Sequence, residues 1–302
     1  MNRRRRSLNF KGNPNKKFEG VFALLLTPFH EDGSIDWPAY ERYVEWQLSF
    51  EPQGLFAVCG SSEMKWLSLT ERLELMKRTV KLAGKTTVVA TGNLEVPAMQ
   101  EEELKQALGT GIHGVVLVPP PGMGENQSKL AEHFGRLADI ADRPVVLYEW
   151  PLVEPYEINP AVYAGLTEQG NVIGIKDTTC TLEGITAKIQ AAPDSIVYQA
   201  NTPFMLEAIR QGAKGMMAVV SAAGGRTVAD FWKAASQGSS HAEHLHREIV
   251  YLDALLRFGY PSSAKMLAAL QGVPMGLSVR SGGFASLETK KALEVWLQTV
   301  NA

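Results

Sequence analysis

A (β/α)₈ barrel, the TIM-barrel class, with a C-terminal helical extension is the fold that the order of apolar segments predicts. Three observations predict it. Eight short apolar, β-branched runs follow one another from Gly20, each near-continuous instead of alternating, as parallel strands covered on both faces should be. The gaps between them carry apolar residues at helical spacing. The last 75 or so residues hold no strand pattern at all. A doubly wound open sheet is the main rival, but the first run ends in Thr27-Pro28-Phe29 with no GxGxxG turn.

The predicted strands cover 20–29, 54–60, 86–93, 114–120, 144–151, 172–179, 195–201 and 215–222. Between them, 36–50 begins with Asp36 and places Tyr40, Tyr43, Val44 and Leu48 on one face. Segment 69–82 offers Thr70 as a cap, 127–140 is amphipathic, and 203–211 has proline just inside its start. Beyond the strands, 228–236, 241–257, 262–270 and 287–299 read as helices. The expected organisation is a basic arm at 1–19, a barrel at 20–226 and a helical region at 227–302 packed on the barrel.

Composition agrees with a soluble globular chain: of 302 residues 45% are apolar and 21% charged, which excludes disorder, collagen or coiled coil as a whole-chain description. Two cysteines, Cys59 and Cys180, are too few for a disulfide framework or a cysteine zinc site and read as small buried side chains. No apolar run approaches the roughly 20 residues of a membrane-spanning helix, so a cytoplasmic location is expected. The first 17 residues carry seven bases and no acid, leaving 23 bases against 32 acids in the rest. Arg3–Arg6 fits a solvated tail better than a nucleic-acid contact, since aromatic interleaving is missing.

Reactive groups of such a barrel sit at the carboxyl ends of the strands. Those ends offer Thr27, Ser61-Ser62, Tyr148, Lys176 and Asn201. Lys176 stands out. If Ile173 and Ile175 face the helices, Gly174 and Lys176 face the interior, where desolvation favours the neutral amine that attacks a ketone. Gly174 below it is expected to leave room for a ligand. Tyr148 shares the inward face with Val146 and Trp150, and its phenol can relay protons. The Gly-Ser-Ser turn suits a small carboxylate. No histidine closes a strand; His241, His244 and His246 lie on a helical stretch and read as a solvated face, so no metal is expected.

Taken in order, Leu-Leu-Thr-Pro-Phe, Gly-Ser-Ser, Tyr-Glu-Trp-Pro, Gly-Ile-Lys-Asp, Gln-Gly-Ala-Lys-Gly and Tyr-Pro-Ser-Ser-Ala-Lys make the sequence over about 20–300 resemble the dihydrodipicolinate synthase/N-acetylneuraminate lyase family. The resemblance implies a Schiff base between Lys176 and pyruvate or another 2-oxo acid, with no further cofactor. It implies Tyr148 and Ser62 as the proton path, Ser61 and Ser62 as holders of the keto-acid carboxylate, and Met217 and Thr27 beside the substrate. It also implies a homodimer or homotetramer. Departures from the family pattern are Glu63-Met64 in place of Gly-Glu, Pro120-Pro121 in place of paired tyrosines, one of which completes a proton relay, and no arginine after Tyr-Glu-Trp-Pro. Glu63 is expected to disturb a turn that glycine makes freely. Glu149 and Glu154 are expected to put negative charge where that arginine would bind an anionic aldehyde. The expected activity is thus a class I lyase or aldolase with a neutral second substrate. A 2-oxo sugar acid dehydratase and a catalytically idle keto-acid binder are the alternatives.

Overall fold

Each apolar run pairs in parallel with the runs before and after it, and the eighth returns to the first. The result, in a computed structural model describing residues 15–301, is a closed eight-stranded barrel. Its strands are β1 (Gly20–Leu24), β2 (Gly54–Phe56), β3 (Thr87–Thr91), β4 (Gly114–Leu117), β5 (Val145–Tyr148), β6 (Val172–Asp177), β7 (Ile196–Gln199) and β8 (Gly215–Met216). The helices that follow them are α1 (Trp37–Leu48), α2 (Leu69–Ala83), α3 (Gln100–Gly109), α4 (Gln127–Ile140), α5 (Pro160–Thr167), α6 (Leu182–Ala191), α7 (Met205–Arg210) and α8 (Gly225–Ser236). Three more, α9 (Ala242–Leu256), α10 (Ser262–Leu270) and α11 (Leu287–Val300), lie outside the eight units. No helix among the described residues is long and apolar enough to cross a membrane.

Every strand position is buried, which is why the runs are continuously apolar. The strands are shorter than the apolar runs predict, and nearly all the missing residues lie at the carboxyl ends. Leu26 and Phe29 beyond β1 and Cys59 beyond β2 are fully covered outside the regular ladder. Leu25 and Val58 keep single links to the next strand, the Leu25 amide to the Phe56 carbonyl at 3.1 Å and the Thr91 amide to the Val58 carbonyl at 3.0 Å. Hydrophobicity reports burial there more than regular strand pairing.

Local chemistry sets the helix ends. Asp36 accepts from the Ala39 amide at 3.0 Å and starts α1. The cap of α2 is Ser68 rather than Thr70. Its hydroxyl accepts from the Glu71 amide at 3.3 Å while the Glu71 carboxylate accepts from the Ser68 amide at 2.8 Å. The eighth helix begins at Gly225 and spans the expected boundary between barrel and extension. Of the expected arm, positions 1–14 with Arg3–Arg6 lie outside the described residues. Lys16–Phe18 forms one 3₁₀ turn, with Phe18 buried beside Phe22 and its carbonyl taking the Tyr198 hydroxyl. The end of the arm therefore belongs to the barrel.

The pairing of β5 with β6 carries an irregularity. Val145 stands opposite Val172 but Val146 stands opposite Gly174, so β6 gains a residue and Tyr148 comes level with Lys176. Gly174 does not make room for a ligand. A Cβ built there would lie 2.3 Å from the backbone carbonyl oxygen of Ile196, so the neighbouring strand occupies that space. Gly174→Ala is expected to destabilise the fold by about 2–3 kcal/mol, measured by denaturant unfolding, because a backbone carbonyl has to move.

Candidate active site

The alternation predicted for β6 places Lys176 inside the barrel. Its ammonium nitrogen lies 4.0 Å from the Tyr148 ring centroid and 5.5 Å from that of Phe56. No hydrogen bond or ion pair reaches it from the described residues. Aromatic faces attract a cation, but water does so more strongly. Burial wins, and the Lys176 pKa falls to about 8. The Tyr148 phenol has no hydrogen-bond partner among the described residues either, and burial keeps it protonated. It lies 3.7 Å from where a Cβ of Gly60 would be, with Trp150 Nε1 at 3.9 Å, so the glycine keeps that space open. Two groups capable of proton exchange thus face one another with nothing of the protein to quench them.

Beside them the chain leaves β2 and makes a 3₁₀ turn, Gly60–Ser62. The Ser62 hydroxyl accepts from the Cys59 amide at 2.7 Å and donates to the Cys59 carbonyl at 2.8 Å. Thr27 donates to the Ser62 carbonyl at 2.9 Å, tying the end of β1 to the turn. Ser62, expected in the proton path, therefore has its O–H committed to the turn. Ser61 Oγ instead accepts from the Tyr260 hydroxyl at 2.5 Å.

Glu63 sits at φ 61°, ψ 36°, the left-handed region that glycine would take freely, so the turn survives the substitution. That backbone costs about 1–2 kcal/mol for a residue with a Cβ. The carboxylate offsets it by accepting from Lys265 Nζ at 3.0 Å and from the Arg280 and Ser281 amides at 2.7 Å each. Lys265 also donates to the Ser278 carbonyl at 2.6 Å and lies over the Phe29 ring. Arg280 in turn makes a double contact with Glu71, whose pKa it pulls down to about 2. The helical region thereby clamps the loop after β2.

The charge expected of Glu149 does not reach the mouth. Glu149 alternates with the inward-facing Tyr148 and Trp150, so it points outward and is fully buried. There it meets Lys188 Nζ at 2.6 Å and accepts from the Ile158 amide at 2.9 Å. Asp177 reaches the same amine at 3.5 Å. Burial raises the Glu149 pKa. Glu154 does line an outer cleft, with Glu125, Tyr156 and Glu157. Cys180 corrects another expectation: it is exposed, at φ 56° in the loop after β6, with Sγ donating to the Asn201 side chain at 3.0 Å. Met217 is buried just past β8, its amide extending the ladder to Gln199 at 3.0 Å. His241 stacks on His244, while His246 stacks on Phe231 and contacts the Thr202 carbonyl.

Phe56, Tyr260 and the Glu63–Lys265 pair were not singled out from the sequence as site residues. Tyr260 and Lys265 fall in one motif, Tyr-Pro-Ser-Ser-Ala-Lys, and that proximity was the available signal.

The dihydrodipicolinate synthetase family model matches residues 17–299. A 4-hydroxy-tetrahydrodipicolinate synthase of Acidiphilium cryptum is 30% identical over 262 residues, 84% of this chain and 89% of that protein. Its namesake in Oceanobacillus iheyensis is 27% identical, over 86% and 89%. Among solved structures, YagE of E. coli, a prophage protein of the dihydrodipicolinic acid synthase family in complex with pyruvate, superposes with a TM-score of 0.87 at 21% identity, covering 94% of this chain and 99% of that one. The synthase of Methylacidiphilum fumariolicum superposes at 0.85 with 25% identity, over 94% and 96%.

Two stability experiments test the site's electrostatics. Lys176→Met is expected to raise the stability at pH 7 by about 2–3 kcal/mol, because the native state holds the amine below its unfolded pKa. The wild-type penalty is complete below pH 8 and fades between 8 and 10.5, so the variant's advantage should shrink when unfolding is repeated at pH 10. Lys265→Met, which leaves the Glu63 carboxylate buried without its cation, is expected to lose about 3–5 kcal/mol in the same measurement.

Proposed function

Because the chain belongs to the dihydrodipicolinate synthetase family, a lyase-type aldolase family with a Schiff-base lysine, we propose that Lys176 is that lysine and that the substrate it captures is pyruvate or a closely related 2-oxo acid. The observation that carries this reading is an unpartnered amine, buried among ring faces, with its pKa brought down to about 8. At neutral pH a useful fraction is neutral and carries the lone pair that attacks a carbonyl.

The chemistry needs no group beyond the chain and its substrate. The neutral Lys176 amine adds to C2 of the keto acid, forming a carbinolamine. Its C–O bond breaks as a proton arrives from the hydroxyls around it, and water leaves. The resulting iminium draws electrons from the C3–H bond, and the enamine formed on proton loss attacks an aldehyde; the reverse sequence cleaves the same bond. Tyr148, level with Lys176 on the adjacent strand, is the nearest unpartnered phenol to these transfers. The Ser61 amide and the turn around Ser62 would hold the carboxylate end of the keto acid, and Thr27, whose O–H goes to the Ser62 carbonyl, would brace that turn beside it. Met217 would border it from the end of β8.

The outer cleft supports a second substrate that is not an anion. Its lining carboxylates Glu125, Glu154 and Glu157 repel one, and no basic side chain lines it among the described residues. A neutral, hydroxylated aldehyde fits this lining best. A homodimer or homotetramer is also proposed, in keeping with the family resemblance. One of the solved neighbours is described as a monomeric dihydrodipicolinate synthase variant.

Borohydride reduction in the presence of pyruvate, followed by peptide mapping, tests the proposal. The expected result is an adduct on Lys176, absent from Lys176→Ala, which also loses turnover. The trapping rate should climb about tenfold per pH unit below 8 and level off above it, following the neutral amine. A folded wild-type protein that forms no adduct with pyruvate or larger 2-oxo acids would sink it.

A further inference from the structure

Tyr260 belongs to the turn between α9 and α10, outside the eight strand–helix units, yet it reaches the reactive end of the barrel. Its hydroxyl donates to Ser61 Oγ at 2.5 Å across 199 positions of sequence. The residue is partly exposed while its phenol group is buried against Ser61, where burial keeps it protonated. Ser62 spends its O–H on the Cys59 carbonyl, whereas the Ser61 hydroxyl, which also lies against the Cys59 thiol, donates to no carbonyl among the described residues. With its oxygen accepting from Tyr260, Ser61 directs its O–H away from that ring, and Gly60, its chain neighbour, faces the Tyr148 hydroxyl with no side chain between.

We propose that Tyr260, acting through Ser61, is a positioning residue for proton transfer: it fixes the orientation of the Ser61 hydroxyl and restores its proton from the mouth of the barrel. The inference rests on the Lys176 imine reading. When the carbinolamine C–O bond breaks, the departing oxygen takes the Ser61 proton. The Ser61 oxygen takes the Tyr260 proton along a hydrogen bond already made, as water entering from the partly exposed side of the residue returns one to the phenol oxygen in the same event. One proton moves at each link and no electrons are exchanged with an outside group. The same links run backwards when water is added to the imine. The C-terminal helical region therefore supplies a working part of the site from the same chain.

Exchange of the pyruvate methyl protons for deuterium in D₂O, followed by NMR, reads this chemistry without any aldehyde. Tyr260→Phe keeps the ring and removes the donor. The expected result is a fall in exchange kcat of about ten- to a hundredfold, pyruvate KM within twofold of wild type, and a Lys176 adduct still trapped at saturating pyruvate. Ser61→Ala should lose a similar factor, and the double variant should be no worse than the poorer single one, since both interrupt one path. Exchange in Tyr260→Phe within threefold of wild type, a loss carried by KM alone, or multiplicative losses in the double variant would each overturn the inference. Should Tyr260→Phe fold poorly, Ser61→Ala alone decides, and full exchange in that variant overturns it. Absence of a wild-type adduct refutes the imine reading and this inference with it, whereas an adduct with unimpaired variants refutes only the role of Tyr260.

Discussion

The register between β5 and β6 is the constraint on which the site depends. One irregularity brings Tyr148 level with Lys176, and strand alternation then disposes of everything next to them. Inward go Lys176, Tyr148 and Trp150. Outward go Glu149 and Asp177, to share the buried Lys188 behind the sheet. A slip of one residue would exchange these sets, bringing carboxylates to the lysine and raising its pKa instead of lowering it. The unpartnered amine exists because its nearest acids are held on the other face of the same two strands.

Such an amine opposes folding, and the barrel carries that load through rigidity elsewhere. The turn that faces Lys176 is closed by Ser62 on the Cys59 backbone, tied to β1 by Thr27, and held at its far end by Glu63. Glu63 occupies backbone space that favours glycine, but its carboxylate gathers three donors from the C-terminal region. The departure from the family's Gly-Glu pattern thus leaves the turn intact. The same residue that strains the turn also anchors it.

The helical region therefore braces the candidate site from the same chain. Through Lys265, Arg280 and Tyr260 it reaches the loop after β2 from about 200 positions away. The loops after β4 and β5 gather acids, Glu125, Glu154 and Glu157, in one outer cleft.

What the sequence determined by itself was the periodic part. Eight continuous apolar runs, the amphipathic gaps and the inward face of Lys176 and Tyr148 follow from side-chain alternation and burial, which are local properties. Strand ends were overestimated because residues such as Leu26 and Cys59 are buried beyond the regular ladder. Only the tertiary structure decided where Glu149 puts its charge, that Gly174 clears a path for the Ile196 carbonyl, and that Cys180 faces outward. It also decided the partners of Glu63 and Ser61. Those outcomes depend on which distant segments meet across the closed sheet, and pairing at separations near 200 residues leaves no local period in the chain to read.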